Sequence, residues 1–168
     1  LVPDPGYPVY HSAAVFAGAR SIRLPLDASA GYRPKLEALS ERDLDRARIM
    51  FINYPNNPTS ATADASLYRD CVAFAAKRGI VLAGDSAYGE IWYEEPSPPL
   101  FPCAREAGIP YIEFFSFSKT FSITGWRVGF AIGCPPVIAS LAKLKNNLDS
   151  GVFGGIQQAV AEILADGY

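Results

Sequence analysis

The sequence predicts an α/β domain with a largely parallel sheet. Short apolar runs that suit buried strands alternate with stretches whose apolar residues recur at helical spacing. The order strand, turn, helix, strand is that of a parallel sheet built from crossover units. No internal repeat or low-complexity tract interrupts the alternation.

The chain opens on a turn-rich segment, Leu1-Val2-Pro3-Asp4-Pro5-Gly6. Ser21–Leu26 has mixed β character and reads as a strand. Ile49–Asn53 is a short apolar run that stops at a turn cluster, as a buried strand does. Asp64–Arg78 carries apolar residues at helical spacing, and Gly79 stands where a helix C-cap is expected. Ile80–Ala83 reads as a buried strand ending at Gly84-Asp85, and Ile112–Phe115 as another ending at Ser116. Glu95–Pro102, with Pro96, Pro98, Pro99 and Pro102, reads as an exposed irregular loop. Val128–Ile132 is a further strand, bounded by Gly133 and Pro135. Ile138–Leu148 and Ile156–Leu164 read as helices.

A length of 168 residues bounds the chain to one domain, large enough for a real core. Apolar residues make up 49% and charged residues 19%, fewer charges than the usual fraction of about 25%, so internal or interfacial surface is expected. The net charge of −2, without a basic run, argues against nucleic acid and anionic membranes as partners. No apolar stretch approaches the ~18 residues of a membrane span, and the first residues lack the basic region of a signal peptide. Cys71, Cys103 and Cys134 are scattered, without disulfide-framework or zinc-ligand spacing. A reducing cytoplasm and no metal site are expected. Cys71 lies at helical spacing with Leu67, Phe74 and Ala75 and reads as a packing residue. The chain begins without Met and ends at Tyr168, just after an apparent helix, and reads as a segment of a longer protein.

The polar motifs follow the strands. Asn57, Asp85 and the pair Ser116 and Lys119 each come just after the C-terminal end of a predicted strand, the edge where open α/β sheets bind ligands. Lys119 lies in Ser116-Phe117-Ser118-Lys119-Thr120, with Gly125-Trp126-Arg127-Val128-Gly129 downstream. A lysine amine can hold an aldehyde cofactor as a Schiff base and then move protons. It does so only when neutral, so burial and a nearby cation such as Arg127 are expected to lower its pKa. Asp85 is the candidate carboxylate for a pyridine nitrogen. Tyr88 and Asn57 can donate to a phenolic oxygen. Ser116, Ser118 and Arg127 suit a phosphate dianion, Gly125 and Gly129 allow close backbone approach, and Tyr7 can stack on a ring. These are the parts that pyridoxal 5'-phosphate needs. Singly, each has a structural reading: surface lysine, turn aspartate, turn asparagine, packed aromatic, ordinary salt bridge. His11 is the sole histidine and has no partner motif, and no phosphate-binding glycine loop of the nucleotide type is present.

Together, these residues resemble the class I/II aminotransferases, of the fold-type-I pyridoxal-phosphate family. Pro5-Gly6-Tyr7-Pro8-Val9-Tyr10, the Lys119 to Gly129 run and Leu144-Lys145-Asn146-Asn147-Leu148-Asp149-Ser150-Gly151-Val152-Phe153 resemble the branch containing LL-diaminopimelate and alanine-type aminotransferases. The resemblance implies a three-layer α/β/α large domain with a mostly parallel mixed sheet, here residues 1–168. The small-domain parts from both termini, the Gly/Ser-rich phosphate turn and the arginine that grips a substrate carboxylate are not identified in it. It implies Lys119 as the cofactor-linked lysine and Asp85 as the pyridine-nitrogen partner. Tyr88 and Asn57 fall at the phenolic oxygen, Ser116, Ser118 and Arg127 at the phosphate, and Tyr7 at the stacking position. The activity implied is amino transfer between an amino acid and a 2-oxo acid in a homodimer, with Asp149–Val152 approaching the neighbour's site. A lyase or decarboxylase on the same scaffold and a non-catalytic sensor domain share these parts. One departure stands out: Asn57-Pro58-Thr59 is followed by Ser60 where the family carries glycine. If that position needs a positive φ, Ser60 costs about 1 kcal/mol.

Overall fold

The computed structural model describes residues 1–167; Tyr168, where the sequence stops, lies outside them. The chain opens with strand β1 (Val2–Asp4) and helix α1 (Val9–Phe16), followed by β2 (Arg23–Asp27), β3 (Arg33–Pro34) and a short helix α2 (Glu41–Leu44). β1 pairs parallel with β2, and β2 antiparallel with β3. The strand expected at Ser21–Leu26 therefore exists, shifted to Arg23–Asp27, but it belongs to this small sheet.

The main sheet runs in the order β4 (Ile49–Asn53), β5 (Val81–Asp85), β6 (Tyr111–Ser116), β7 (Gly129–Gly133). β4, β5 and β6 are parallel and β7 is antiparallel, the mostly parallel mixed sheet expected. The edge strand β4 is linked to the small sheet through Leu1, whose carbonyl accepts from Phe51 N–H at 3.0 Å.

Helices cover both faces. α3 (Ala65–Arg78) begins at Asp64, whose carboxylate accepts from Leu67 N–H, and ends at Gly79. It packs beside α4 (Phe101–Glu106). These two bury Leu67, Cys71, Leu100 and Ala104 against Met50, Ile52 and Leu82. The other face carries α1, whose Tyr10 stacks on Phe51 at 5.1 Å. It also carries α6 (Pro135–Leu148), whose Ile138 lies against Gly133. A single turn, α5 (Phe117–Thr120), follows β6. Helix α7 (Gly154–Ala165) closes a smaller cluster in which Val160 joins Phe117 and Val128.

One expectation fails here. The proline-rich stretch is not an exposed loop throughout, because Leu100 is fully buried and Phe101 opens α4 with Pro102 in its first turn. Proline is tolerated there because the first N–H groups of a helix have no intrahelical partner. Several large apolar side chains lie open: Phe16, Leu148 and Phe153 are 89%, 74% and 76% exposed.

Candidate active site

The site is built on one edge of the main sheet. Register pairs Asn53 with Asp85, Asp85 with Phe114 and Ser116 with Gly129. The parallel strands thus end together on Asn53, Asp85 and Ser116, and β7 starts beside them. A Cβ on Gly129 would run into the Phe115 carbonyl, so glycine permits the close approach expected of it. Gly125 has no such neighbour.

Asn53 ties the turn after β4 to β5. Its side-chain N–H donates to the carbonyls of Asp85 (2.8 Å) and Pro55 (3.3 Å), and its Oδ1 accepts from Asn57 N–H at 2.8 Å. Asn57 is half-buried there. Beyond it, Ser60 takes φ 61°, so the serine that replaces glycine occupies a left-handed position.

Asp85 is half-buried and held at both oxygens. Oδ2 accepts from the Tyr10 hydroxyl at 2.6 Å, and Oδ1 accepts from Ala87 N–H at 3.1 Å. Burial first, then the charge and hydrogen bond of Asp85, push the Tyr10 phenol well above its ordinary pKa. Tyr10 therefore stays a proton donor to Asp85. Tyr7 meets Tyr10 edge-on at 6.2 Å and is itself 48% exposed.

Lys119 comes from α5. Ser116 caps that turn, its hydroxyl oxygen accepting from Ser118 N–H at 3.2 Å, which leaves the hydroxyl hydrogen to donate elsewhere. The Lys119 ammonium lies 5.8 Å from the centre of the Tyr88 ring, within cation–π range. Tyr88 thus stands beside the lysine, three residues beyond Asp85 on the turn that follows β5. Ser118 is buried, and its carbonyl accepts from the Thr124 hydroxyl at 3.2 Å. Arg127 takes φ 51° and donates to the Thr124 carbonyl at 3.0 Å.

The burial expected of Lys119 is not found. Its side chain is exposed, and the exposed Arg127 guanidinium turns to the Thr124 carbonyl. The physical reason is orientation: α5 turns Phe117 and Ser118 inward and leaves Lys119 on its open side. Tyr10 and Asn53 are site residues that the sequence reading missed. Asn53 is the lone polar residue closing the apolar run Ile49–Asn53. Tyr10 follows Tyr7 at the spacing of one helical turn.

Tyr88 and Asn57 also line a groove of about 630 Å³. Its far wall carries Trp92, Tyr93, Glu94 and Glu95. Among the described residues there is no group of three or more histidines, cysteines or carboxylates able to hold a metal, and no helix long and apolar enough to cross a membrane.

The chain is similar to known proteins in both sequence and fold. Residues 1–167 match the family "Aminotransferase class I and II". The LL-diaminopimelate aminotransferase of Halothermothrix orenii is 46% identical over 164 residues, which cover 98% of this chain and 42% of that protein. The enzyme of the same name from Moorella thermoacetica is 46% identical over 162 residues, 95% of this chain and 41% of its own. Among solved structures, substrate-bound BacF from Bacillus subtilis superposes with a TM-score of 0.91 at 38% identity, covering 98% of this chain and 42% of that one. An aminotransferase from Staphylococcus aureus gives 0.87 at 29% identity, covering 94% and 42%. The chain belongs to the class I and II aminotransferase family. It spans 41–43% of the length of the curated relatives it matches.

Proposed function

We propose that the protein containing this chain transfers an amino group between an amino acid and a 2-oxo acid. The family is pyridoxal-phosphate dependent. The observation that carries the reading is the placement of an amine, a carboxylate and a phenol along one sheet edge, with Tyr88 beside Lys119 and Asp85 held by Tyr10.

The donor set fits the cofactor. The exposed Lys119 amine is open to an aldehyde. Asp85 keeps a carboxylate for a ring nitrogen, Tyr88 and Asn57 offer donors to a phenolic oxygen, and Ser116, Ser118 and Arg127 offer hydroxyls and a cation to a phosphate. Tyr7 would stack on the ring. Pyridoxal phosphate, when bound, supplies an aldehyde that condenses with amines and a ring that takes up electrons. The chain's own residues orient it and move the proton. With the cofactor bound, Lys119 Nζ would carry the proton from the substrate's Cα to the cofactor carbon that receives the amino group. Asp85, fixed by Tyr10 and Ala87, keeps the ring nitrogen protonated by its negative charge.

The shared name of the curated relatives supports LL-diaminopimelate as an amino substrate and favours amino transfer over elimination, decarboxylation or a sensor role. We read the protein as a homodimer, for which exposed Leu148 and Phe153 beside Asp149–Val152 supply apolar surface. A cytoplasmic setting suits the free thiols of Cys71, Cys103 and Cys134.

The test uses the full-length protein. Added pyridoxal phosphate should give a visible absorbance band in the wild type and none in Lys119→Ala. A band that survives the substitution rejects the assignment. With LL-diaminopimelate, the products should be a keto acid and the aminated cofactor; ammonia or CO2 would point to a lyase.

A further inference from the structure

Glu113 is a carboxylate in the middle of β6 with no accessible surface. Among the described residues no ion pair neutralises it. Its partners are three donors. The Ser86 hydroxyl donates to Oε1 at 2.5 Å, Leu100 N–H to Oε1 at 3.1 Å and Phe101 N–H to Oε2 at 2.8 Å. A buried charge is tolerable only when its lone pairs are met in this way. A Cβ on Gly84 would stand 3.0 Å from Leu100 Cδ2 and 3.2 Å from Glu113 Cγ, so glycine makes room for the carboxylate between strand and helix.

The positions of the donors matter. Ser86 follows Asp85 directly and begins the irregular excursion between β5 and α4; Leu100 and Phe101 end it. One carboxylate therefore grips both ends of the same loop. That loop supplies Tyr88, Ile91, Trp92, Tyr93, Glu94 and Glu95 to the groove beside Asn57. Its tip is otherwise loosely held, with Tyr93 98% exposed and Trp92 52% exposed. A loop joined at its base loses chain entropy before any ligand arrives.

We propose that Glu113 is a positioning residue that clamps the base of the 86–101 loop and thereby sets where Tyr88 and the groove wall stand relative to Asp85 and Lys119. Glu113 touches neither cofactor nor substrate in this scheme and acts through Ser86 at one end and α4 at the other. Its effect on cofactor rests on the function proposed above; the clamp does not.

The test compares Glu113→Gln and Ser86→Ala in the full-length protein. An amide in place of the carboxylate leaves Leu100 or Phe101 N–H facing another donor, so the loop's far end is released; Ser86→Ala releases the near end alone. Hydrogen exchange of residues 87–99 should quicken about tenfold in Glu113→Gln, as expected for one lost charge-assisted hydrogen bond, while α6 peptides keep their protection. The pyridoxal phosphate dissociation constant should rise, and the pH midpoint of the visible band should move upward as the Tyr88 hydroxyl leaves the phenolate. Unchanged exchange in 87–99, or an equal rise throughout the chain, overturns the clamp. Faster exchange with unaltered cofactor affinity and pH midpoint overturns the positioning role. Should Glu113→Gln fail to fold, Ser86→Ala decides the clamp by exchange at 87–91, where no change rejects it. A wild type that binds no cofactor rejects the function proposed above, and the exchange result still judges the clamp.

Discussion

The Tyr10 hydroxyl donates to Asp85 Oδ2 at 2.6 Å while the Tyr10 ring stacks on Phe51. One side chain thus joins α1 to both β4 and the acid at the end of β5. Tyr10→Phe keeps the stacking and removes the donor. A hydrogen bond to a charged group is worth about 1.5–3 kcal/mol, so a carboxylate left less well oriented should hold a protonated ring nitrogen less firmly. Pyridoxal phosphate affinity of the full-length protein should fall about tenfold, measured by titration of the visible band. An unchanged dissociation constant would remove Tyr10 from the site.

Ser60 stands at φ 61°. Left-handed backbone costs a non-glycine residue about 1–2 kcal/mol. Glycine relieves this but adds about 0.4–1 kcal/mol of unfolded-state entropy. Ser60→Gly should therefore stabilise the protein by about 0.5–1 kcal/mol, read from urea unfolding. The turn is fixed by Ser60 N–H to Asn56 carbonyl and Asn56 N–H to Ala61 carbonyl, both 2.8 Å, so glycine has no reason to adopt another shape.

The strands Ile49–Asn53 and Val81–Asp85 were legible because both are continuous apolar runs closed by a polar residue, the pattern of a strand buried on both faces. The edge carrying Asn57, Asp85 and Ser116 followed from that pattern. Helix α1 was not legible. Val9–Phe16 is preceded by three prolines and carries few residues that mark a face, and Tyr10 is its only buried residue. Tertiary packing on Phe51, invisible at that sequence distance, determines it. Glu113 was hidden too. The strand around it was read from its apolar neighbours, but its partners at Ser86, Leu100 and Phe101 are found only by folding. The exposure of Lys119 could not be read, because which side of the single turn α5 faces inward is set by Phe117 packing on Val128 and Val160.

Asp64 caps α3. Its Oδ1 accepts from Leu67 N–H at 2.7 Å and from the Ser66 hydroxyl at 2.7 Å, and Arg33 bridges it to Asp70. The Leu67 N–H first, then Ser66 and Arg33, lower its pKa from 3.8 to about 2. A folded-state pKa below the unfolded value gives stabilisation that is complete above 3.8 and lost as pH falls towards 2. Asp64→Ala should cost about 1 kcal/mol at neutral pH, as lost caps do. That difference from wild type should shrink through this acid window, followed by denaturant unfolding at several pH values. A difference that stays constant down to the acid limit would mean the cap acts without its charge.

Cys71 lies on the buried face of α3 with 1% exposure. Burial, with some repulsion from Asp70, pushes its thiol up to about 12. The thiolate is the nucleophile, so against the ordinary thiol value of 9.0 about a thousandfold fewer reactive species are present at neutral pH. Cys103 is raised as well, by burial, but it is only half-buried on α4. Iodoacetamide added to the native protein should therefore modify Cys103 long before Cys71, as followed by peptide mass spectrometry. In denaturant the two should react at similar rates, because the difference belongs to the folded environment. Gly84→Ala supplies the sharper comparison. Crowding Leu100 and Glu113 at the base of α4 should loosen that helix, which packs beside α3 in the same core, so Cys71 labelling should quicken in that variant. Protection of Cys71 unaltered by Gly84→Ala would show that α4 does not shield the thiol.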